Sequence, residues 1–355
     1  MKSEVSVMHK TRVGIIGATG YVGVELVRGL SVHPNVELTC LVSRSFAGKA
    51  FSDIYPSYRG ICDIVLSDCS PAEMASSCDV VITALPHGVS SQVVPVLLDA
   101  GVKVIDHSGD FRYKNALTYE FSYGLSHPRP DLLAEAVYGI PEIYRKELVT
   151  ARLTANPGCY PTCSILALAP LLKHGIIKTE GIIIDAVSAI SGAGRKADLA
   201  YSFSEACDSF KPYGVLNHRH TTEIEQECSL AAGREIKVTF TPHLAPMKRG
   251  MLATIYADPI GECTAEQLRA LYEKEYATEP FVRILPAGTL PDTSNVIGSN
   301  YMDISVDFDR RTGKIKVFSA LDNLGKGAAL QAIQALNVMQ GYPEDTALRN
   351  LSRGV

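Results

Sequence analysis

Near the start of the chain stands the stretch Arg12-Val13-Gly14-Ile15-Ile16-Gly17-Ala18-Thr19-Gly20-Tyr21-Val22-Gly23. Its first part is a short apolar run, which predicts a buried strand, and the glycines that follow predict a tight turn. Residues 25–30 then have the pattern of a helix. A second apolar segment, residues 36–42, comes after this helix. Two such segments joined by one helix predict a right-handed βαβ unit with parallel strands.

The same pattern continues through the first part of the chain. Further buried strands are predicted at residues 79–84 and 102–106, with a helix over residues 92–100 between them. We therefore expect an α/β fold that begins with a Rossmann-type, doubly wound parallel sheet. We assign this nucleotide-binding domain to residues 1–157.

The pattern changes after Asn156. A helix is predicted from about residue 161 to 174 and a strand at residues 181–186, and later segments alternate between apolar and polar residues. The segments at 302–308 and 315–320 are expected to pair across a turn. These features predict an α+β catalytic and oligomerisation domain, residues 158–324, with a mixed, mostly antiparallel sheet. A C-terminal helix, residues 325–355, is expected to return to the first domain.

The bulk composition limits the classes of function. A chain of 355 residues is too long for one compact core and suits two domains. The net charge of -4 gives no reason to expect a nucleic acid as partner. No apolar run approaches the roughly 20 residues that span a bilayer, and the first ten residues lack the apolar stretch of a signal peptide. We therefore expect a cytoplasmic protein without membrane contact.

Cysteine usage supports the same location. The chain has nine cysteines, an odd number without repeating spacing, which favours reduced thiols over a disulfide framework. No second pair of cysteines or histidines completes a zinc-binding set, so no metal site is predicted.

The glycine turn predicts a dinucleotide site. Glycines between a strand and a helix let the backbone approach a pyrophosphate, whose charge the helix N-terminus favours. The spacing is G-x-x-G-x-x-G, and the residues expected at the cofactor here are Gly17, Thr19, Gly20, Tyr21 and Val22. At the end of the second strand, Ser43, Arg44 and Ser45 offer a cation and two hydroxyl groups to a 2′-phosphate. The sequence therefore predicts NADP(H), with a solvated surface arginine as the alternative interpretation of Arg44.

Cys159 is the candidate nucleophile. It follows Pro157 and Gly158, where a strand ends and a helix begins, so we expect it at the helix N-terminus. There the helix dipole and free amides stabilise a thiolate, and we expect the pKa of Cys159 to fall from about 8.5 toward neutrality. A lone cysteine is more often a small buried residue, which is our interpretation of Cys163. The turn-forming residues at a domain junction favour the nucleophile for Cys159.

Five strings of residues together resemble one known family. They are Gly17-Ala18-Thr19-Gly20-Tyr21-Val22-Gly23, Asp106-His107-Ser108-Gly109-Asp110-Phe111-Arg112, Asn156-Pro157-Gly158-Cys159-Tyr160-Pro161-Thr162, Ser191-Gly192-Ala193-Gly194-Arg195 and His218-Arg219-His220-Thr221-Thr222-Glu223-Ile224. Over nearly the whole chain they are similar to the N-acetyl-gamma-glutamyl-phosphate reductases, which share a superfamily with aspartate-semialdehyde dehydrogenase. The resemblance implies an enzyme of arginine biosynthesis. It would reduce N-acetyl-L-glutamyl 5-phosphate with NADPH through a thioester on Cys159.

One departure from the family pattern lies beside the expected substrate wall. Residues 107–109 are His-Ser-Gly, where the resemblance leads us to expect Leu-Ser-Ala.

A proton donor and acceptor is needed beside the thiol, and histidine suits this task. His218 and His220 precede a helix predicted over residues 222–231, with Thr222 and Glu225 as its capping box. Two residues apart in an extended loop, they should face opposite ways, so only one should reach Cys159. Because of the family resemblance we choose His220, with His218 behind it.

The remaining predicted contacts serve anions and the nicotinamide. The cation candidates are Arg112, Arg195, Lys196 and Arg249, whose division between carboxylate and phosphate stays open. Ser108 and Asn156 join the substrate set by resemblance. The glycine-rich loop with Ser191, Gly192 and Gly194 can present amides to the cofactor, and the resemblance adds Asn323 near the nicotinamide. Pro86 and His87, after the third strand, are expected near the cofactor.

Other functions remain open at this point. A reductase of a related acyl phosphate, such as aspartyl phosphate or a carrier-linked aminoadipyl phosphate, would share the same chemistry. A catalytically silent NADP-binding sensor would keep the fold without needing the cysteine and the histidines. A sheet with one uncovered face suits a subunit interface, so we expect a homodimer or homotetramer.

Overall fold

The computed structural model describes residues 10–195 and 197–349. Lys196, a predicted cation, and residues 350–355 of the predicted C-terminal helix lie outside this range. Within the described residues, no helix is both long and apolar enough to cross a membrane.

The first half of the chain builds a parallel sheet with helices on both faces. Its strands are β1 (Thr11–Ile16), β2 (Val36–Val42), β3 (Val80–Thr83), β4 (Lys103–Asp106), β5 (Val137–Tyr138) and β6 (Leu153–Ala155). Its helices are α1 (Tyr21–Leu30), α2 (Phe51–Ile54), α3 (Pro71–Ala75), α4 (Ser90–Asp99), α5 (Ala116–Tyr123), α6 (Pro130–Glu135) and α7 (Pro141–Leu148). The strand order is β2-β1-β3-β4-β6-β5, and every pairing is parallel. The predicted Rossmann-type sheet is thus confirmed.

The strand order reverses between β1 and β3, which makes this edge of the sheet the expected place for a ligand. The turns after these two strands touch. A methyl group built on Gly17 would lie 2.3 Å from the carbonyl oxygen of Ala84. The chain therefore needs glycine where the first turn meets the third strand.

The second half builds a seven-stranded sheet. Its strands are β7 (Ile182–Ala189), β8 (Lys211–Pro212), β9 (Val238–Ala245), β10 (Met251–Ala257), β11 (Val282–Ile284), β12 (Met302–Asp309) and β13 (Lys314–Leu321). The order is β11-β12-β13-β10-β7-β9-β8, with parallel pairing only in β11·β12 and β7·β9. The predicted mixed, mostly antiparallel sheet and the β12–β13 hairpin are confirmed.

Helices cover one face of this second sheet. They are α8 (Cys159–Lys173), α10 (His220–Ala232) and α11 (Ala265–Glu275), whereas the short helix α9 (Phe203–Ala206) lies between β7 and β8 along the chain. Of these, α8 lies against β10 and β13, and α10 and α11 both pack beside it. Nearly every side chain of α8 is buried in the main core of this half, so the helix that carries Cys159 is held rigidly.

The chain ends by returning to the first sheet. After β13 a π-helical turn, Gly325–Ala329, leads into α12 (Leu330–Gln340). Leu330, Ile333 and Leu336 share a core with α1 and β1. The C-terminal segment thus returns to the first sheet, and its helix is shorter than the predicted span of residues 325–355. It ends at Gln340 because Gly341 adopts a left-handed conformation, with φ +70, that closes the helix.

Candidate active site

The turn after β1 forms a cradle of backbone amides. Gly17 has φ +87, and a methyl group built on Gly23 would lie 2.4 Å from the carbonyl oxygen of Gly17. Glycine at both positions therefore lets α1 start directly above the turn. The helix begins at Tyr21, and its N-cap residue, Gly20, makes no side-chain capping bond. The first amides of α1 are thus available to an anion such as a pyrophosphate.

The end of β2 lies beside this cradle. The hydroxyl oxygens of Thr19 and Ser43 are 2.8 Å apart in a buried hydrogen bond. Arg44 and Ser45 follow in an exposed short 3₁₀ turn. The structure therefore brings the predicted cofactor residues of the two loops together.

Arg195, from the second half of the chain, contacts the glycine turn after β1, residues 17–23, which we call the cofactor loop. Its Nη1 donates to the carbonyl oxygen of Thr19 at 2.9 Å, and its guanidinium lies 5.2 Å from the ring centroid of Tyr55 and 5.7 Å from that of Phe46. The sequence placed Arg195 among the substrate-binding residues. In the structure its contacts are with the cofactor side, and a substrate contact stays a prediction without support from these contacts.

A cleft of about 1540 Å³ opens between the cofactor loop and the glycine-rich loop that carries Arg195. Tyr21 and Tyr55 line one wall, and Ser191 and Gly194 line the other. Tyr21, Ser191 and Gly194, three of the predicted cofactor residues, therefore face one space.

Asn323 ties the glycine-rich loop to the second sheet. Its side-chain amide donates to Ser191 Oγ at 2.9 Å and accepts from the amide of Gly250 at 2.8 Å. A methyl group on Gly192 would lie 3.1 Å from Ser188 Oγ, so glycine keeps the loop close to its strand. These contacts hold the loop in the position predicted for the nicotinamide end of the cofactor.

Cys159 is the first residue of α8, as predicted, with Gly158 as N-cap. It follows β6 at the carboxyl edge of the parallel sheet, the same edge at which the cofactor turn lies after β1. The side chain is partly exposed, whereas Cys163 one turn later is fully buried in the core. The structure therefore supports Cys159, not Cys163, as the accessible thiol of this helix.

The expected effect on the thiol is wrong in direction. Burial raises the pKa of Cys159 to about 11, although the amide of Tyr160 and the charges of Arg112 and Arg219 act to lower it. Removing the thiolate from water costs more than the helix N-terminus returns. The resting form of Cys159 is therefore the neutral thiol, which needs a base to become a nucleophile.

The candidate for that base lies on α10. A methyl group built on Gly158 would lie 2.4 Å from His220 Nε2, so this imidazole packs directly against the residue before Cys159. Burial lowers the pKa of His220 well below its usual range, with the neighbouring charges acting in the same direction. His220 is therefore neutral and able to accept a proton.

His218 and His220 do not face opposite ways. Their ring centroids are 4.8 Å apart in an edge-to-face contact, and both rings pack against Tyr160. His218 Nδ1 accepts the backbone amide of His220 at 3.2 Å. The prediction of opposite orientations fails because α10 begins at His220, two residues earlier than expected.

The predicted capping box of α10 is also absent. Glu225 accepts the amide of Val238 on β9 instead, and Thr222 Oγ1 lies 2.8 Å from the hydroxyl of Tyr113. Tertiary partners on β9 and on the loop before α5 thus replace the local cap.

Glu223 binds the loop before Cys159, residues 156–158, which we call the nucleophile loop. Its fully buried carboxylate accepts from the amide of Gly158 at 3.0 Å, from Tyr138 Oη at 2.6 Å and from Arg112 Nη1 at 3.1 Å. No motif of the sequence singles out Glu223. Its position three residues after His220 on one helix was a usable signal, since such residues share a face.

The guanidinium of Arg112 donates its hydrogen bonds to groups of the protein itself. Its Nε donates to the carbonyl oxygen of Asn156 at 2.8 Å and its Nη2 to that of His107 at 2.9 Å. It therefore binds the loop after β4 to the loop before Cys159. Its charge lies close enough to act on the Cys159 thiol, while direct substrate binding stays a prediction.

Ser108 and Asn156 differ in what they leave free. Ser108 Oγ donates to Asp106 at 2.6 Å and accepts the amide of Asp110, so it braces its own loop. Asn156 Nδ2 donates to the carbonyl oxygen of Ala328 at 3.1 Å, but Asn156 Oδ1 is buried without a partner. Of the two, Asn156 keeps a free acceptor for a ligand.

Several other buried polar atoms near Cys159 lack partners among the described residues. They are His107 Nε2, Tyr123 Oη and His220 Nδ1. Unpaired buried polar atoms are rare in folded proteins and call for a ligand or water. Their grouping around Arg112 and the nucleophile loop suits a polar substrate.

His87 contacts the loop after β4 and the ring of Tyr123. Its Nδ1 accepts the amide of Gly109 at 2.9 Å, and its ring lies 4.6 Å from that of Tyr123. Burial lowers the pKa of His87 to about 3, so the ring is neutral. Pro86 beside it is exposed after β3. Both residues lie at the carboxyl edge of the sheet, where the cofactor is expected.

Arg249 has a structural environment. Its guanidinium lies 2.6 Å from Glu25 on α1 and 2.7 Å from Asp322 after β13. It thus bridges the two halves of the chain with its charge balanced on both sides. A substrate contact for Arg249 stays a prediction, and the structure supplies it with two other partners.

These features define a class. The parallel cofactor sheet, the second mixed sheet and a cysteine between them match two family models, the semialdehyde dehydrogenase NAD binding domain over residues 12–151 and the semialdehyde dehydrogenase dimerisation domain over residues 159–323. The fold is also that of solved aspartate semialdehyde dehydrogenases. One from Vibrio cholerae, complexed with ASA, has a TM-score of 0.71 at 17% identity, covering 94% of this chain and 99% of that one. One from Candida albicans with NADP has a TM-score of 0.69 at 18% identity, covering 93% and 98%.

The sequence relatives are more specific. The N-acetyl-gamma-glutamyl-phosphate reductase of Acetivibrio thermocellus is 53% identical over 95% of this chain and 98% of its own length. That of Moorella thermoacetica is 52% identical over 95% and 97%. The chain belongs to the N-acetyl-gamma-glutamyl-phosphate reductase family and is an oxidoreductase with a nicotinamide-dinucleotide domain, which confirms the family and enzyme class that its sequence predicts.

Proposed function

We propose that this protein reduces N-acetyl-L-glutamyl 5-phosphate to N-acetyl-L-glutamate 5-semialdehyde with NADPH, as a step of arginine biosynthesis. The observation that carries the proposal is the position of Cys159. It opens α8 at the carboxyl edge of the cofactor sheet, with the His220 imidazole packed against Gly158. The family relatives bear the name of this reaction.

The first chemical step joins the substrate to the enzyme. His220 accepts the proton of the Cys159 thiol as the sulfur attacks the acyl carbonyl carbon. The carbon–oxygen bond to phosphate breaks, and the leaving phosphate takes up the proton from His220. A thioester on Cys159 remains. Both groups are neutral in the resting protein because burial shifts their pKa values in opposite directions, so in this proposal the proton leaves the thiol as the sulfur attacks.

The second step reduces the thioester. NADPH held in the cofactor cradle would supply the hydride that the thioester carbon accepts. The resulting oxyanion collapses to the aldehyde and expels the Cys159 sulfur, which His220 reprotonates with a proton from solvent. Amides at the start of α8 stabilise the oxyanion, an effect that is often worth several kcal/mol.

NADP(H) fits the cofactor cradle better than NAD(H). Gly17 and Gly23 leave room for a pyrophosphate at α1. Beside them, the Ser43 and Thr19 hydroxyls and the exposed Arg44 can hold a 2′-phosphate. Arg195 adds a second cation against the same loop. In this proposal residues 1–157 and α12 form the cofactor domain, and residues 158–324 carry the nucleophile.

We also propose a cytoplasmic homodimer or homotetramer. All nine cysteines lie in the described part of the chain and are free thiols, which suits a reducing compartment. The second half matches a dimerisation domain. The face of its sheet that the helices leave open carries Ile183, which is 39% exposed, and Tyr256. Ile183 and Tyr256 are paired across β7 and β10, and burial against a second copy would remove both from water.

The first experiment measures phosphate-dependent reduction of NADP at 340 nm in the reverse direction. N-acetyl-glutamate semialdehyde and aspartate semialdehyde are compared as substrates. Preference for the acetylated compound supports the proposal, and preference for the other moves the protein to the aspartate branch. Absence of activity with both would favour a carrier-linked substrate or a sensor.

A variant tests the thioester route. Cys159→Ala should abolish turnover and leave NADPH binding intact, because the thiol is absent from the cofactor cradle. Cys163→Ala, four residues further along the same helix, is the matched control and should keep its activity. Ordinary turnover in Cys159→Ala would end the proposed mechanism.

A further inference from the structure

We propose that Lys326 is a positioning residue for the nucleophile, acting through the π-helical turn Gly325–Ala329. The inference rests on the proposed function, in which Cys159 forms the thioester. It goes beyond it by assigning a role in catalysis to a buried lysine that contacts neither the thiol nor the cofactor cradle.

The π-helical turn lies directly behind Cys159. A methyl group built on Gly327 would lie 2.8 Å from Cys159 Cβ, so the two backbones are in close contact. The next residue, Ala328, accepts a hydrogen bond from Asn156 Nδ2 at 3.1 Å. The turn therefore sets the position of the nucleophile and of the loop before it. Single π-helical turns are frequent at functional sites.

The backbone of the turn is fixed at its start. The amides of Gly325 and Gly327 both donate to the carbonyl oxygen of Asp322, at 3.0 and 2.9 Å. Asn323, which holds the glycine-rich loop, is the next residue after Asp322. Asn323 keeps its own bonds to Ser191 and to the amide of Gly250, so a shift of the turn acts first on the nucleophile.

Lys326 anchors the turn from the opposite side. Its side chain is fully buried, and its Nζ lies 2.6 Å from Glu142 Oε1 and 2.7 Å from Gln334 Oε1. The ring of Phe281 approaches the same ammonium at 6.0 Å. Glu142 belongs to α7 and Gln334 to α12, so the lysine ties the turn to α7 of the first half and to the helix that follows the turn, and these two helices pack against each other.

Fold stability does not account for this pair. Two charges withdrawn from water lose solvation that their attraction barely restores, and an apolar pair of similar volume is often as stable. What the ion pair adds is direction, because the ammonium bonds only where its acceptors lie. Glu142 Oε2 is buried and has no hydrogen-bond partner among the described residues. The carboxylate therefore binds the ammonium through Oε1 while its other oxygen stays unpaired.

The test separates geometry from stability with four variants. Lys326→Met and Glu142→Gln each leave one buried charge unpaired, and the double variant removes both. Ile315→Ala, a core truncation at the far end of β13, is the matched control for a loss of stability alone. The measurements are the thermal midpoint, kcat and KM with N-acetyl-glutamate semialdehyde, and the alkylation rate of Cys159 by iodoacetamide, followed on its own peptide.

We expect the double variant to regain most of the thermal midpoint that each single variant loses. Its kcat should stay about tenfold or more below that of the wild type, because small displacements of a reacting group are costly. KM for NADP should stay within about twofold, since the cradle is untouched. Cys159 alkylation should change about fivefold or more in Lys326→Met and in the double variant, and stay at the wild-type rate in Ile315→Ala.

Recovery of kcat and of the alkylation rate together with the thermal midpoint would overturn the proposal, because the pair would then serve stability alone. Should Lys326→Met fail to fold, Glu142→Gln and the double variant decide the question by the same measurements. The wild-type protein could also prove inactive on N-acetyl-glutamate semialdehyde. If the variants then still change the alkylation rate of Cys159 as expected, the positioning role is supported and the proposed substrate is rejected.

Discussion

Alkylation of Cys159 by iodoacetamide should accelerate about a hundredfold between pH 7 and pH 9, because the reactive thiolate of a group with pKa about 11 rises from about one in ten thousand to about one in a hundred. The cause is burial at the junction of the two halves, which outweighs the helix N-terminus and the nearby arginines. A thiol with a pKa near 7 would gain only about twofold over the same range.

The assay uses the ligand-free protein and short reaction times at each pH. Mass spectrometry of the peptide that carries Cys159 separates it from the other eight cysteines, and the exposed Cys207 shows that the reagent stays active throughout. Cys159→Ser confirms the peptide assignment.

A rate that levels off between pH 7 and pH 8 would refute the reasoning. The thiolate would then be formed in the resting enzyme, and the role of His220 as the base of the first step would be unnecessary. A steady rise through pH 9 would show that the resting thiol is neutral, so that it has to lose its proton when it attacks the substrate.

Three further predictions concern charge and burial. Arg112→Met should lower the free energy of unfolding in urea by about 3–5 kcal/mol, because it leaves the buried Glu223 carboxylate without its cation; full stability in this variant would show that the pair is dispensable. Burial lowers the pKa of His107 to about 3. Below about pH 6.5 the unfolded chain therefore binds a proton at His107 that the folded protein does not bind. This residue should thus lower the free energy of unfolding by about 2 kcal/mol between pH 6.5 and pH 5. His107→Leu should remove that share of the slope, and an unchanged slope would contradict the assignment. Arg44→Ala should weaken NADPH binding by about tenfold or more and NADH binding far less, measured by fluorescence titration, whereas equal losses would remove the argument for a 2′-phosphate.

Local pattern was enough to predict the supporting framework. The β1–α1–β2 unit follows from two short apolar runs and a glycine turn, and the predicted second strand at residues 36–42 coincides with β2 (Val36–Val42). The helix with Cys159 was placed correctly because Pro157 and Gly158 stop the preceding strand and Gly175 ends the helix. In each case the deciding interactions lie within a few residues along the chain.

Errors arose where distant residues compete with local ones. The start of α10 was predicted at Thr222 from a capping box, but Glu225 bonds to Val238 on β9 and the helix begins at His220. That shift of two residues turned His218 and His220 from opposite directions into mutual contact.

The sequence by itself determined the two kinds of sheet, the cofactor turn and the place of Cys159 at a helix start, because period, glycine spacing and chain breaks are local properties. Only the tertiary structure decided the charge states and the partners. Burial depends on every element that packs around a group, so it reversed the expected pKa shift of Cys159. Contacts between residues far apart in the sequence likewise place Arg195 on the cofactor loop and Glu223 on the nucleophile loop. They also bury Lys326 beside Glu142.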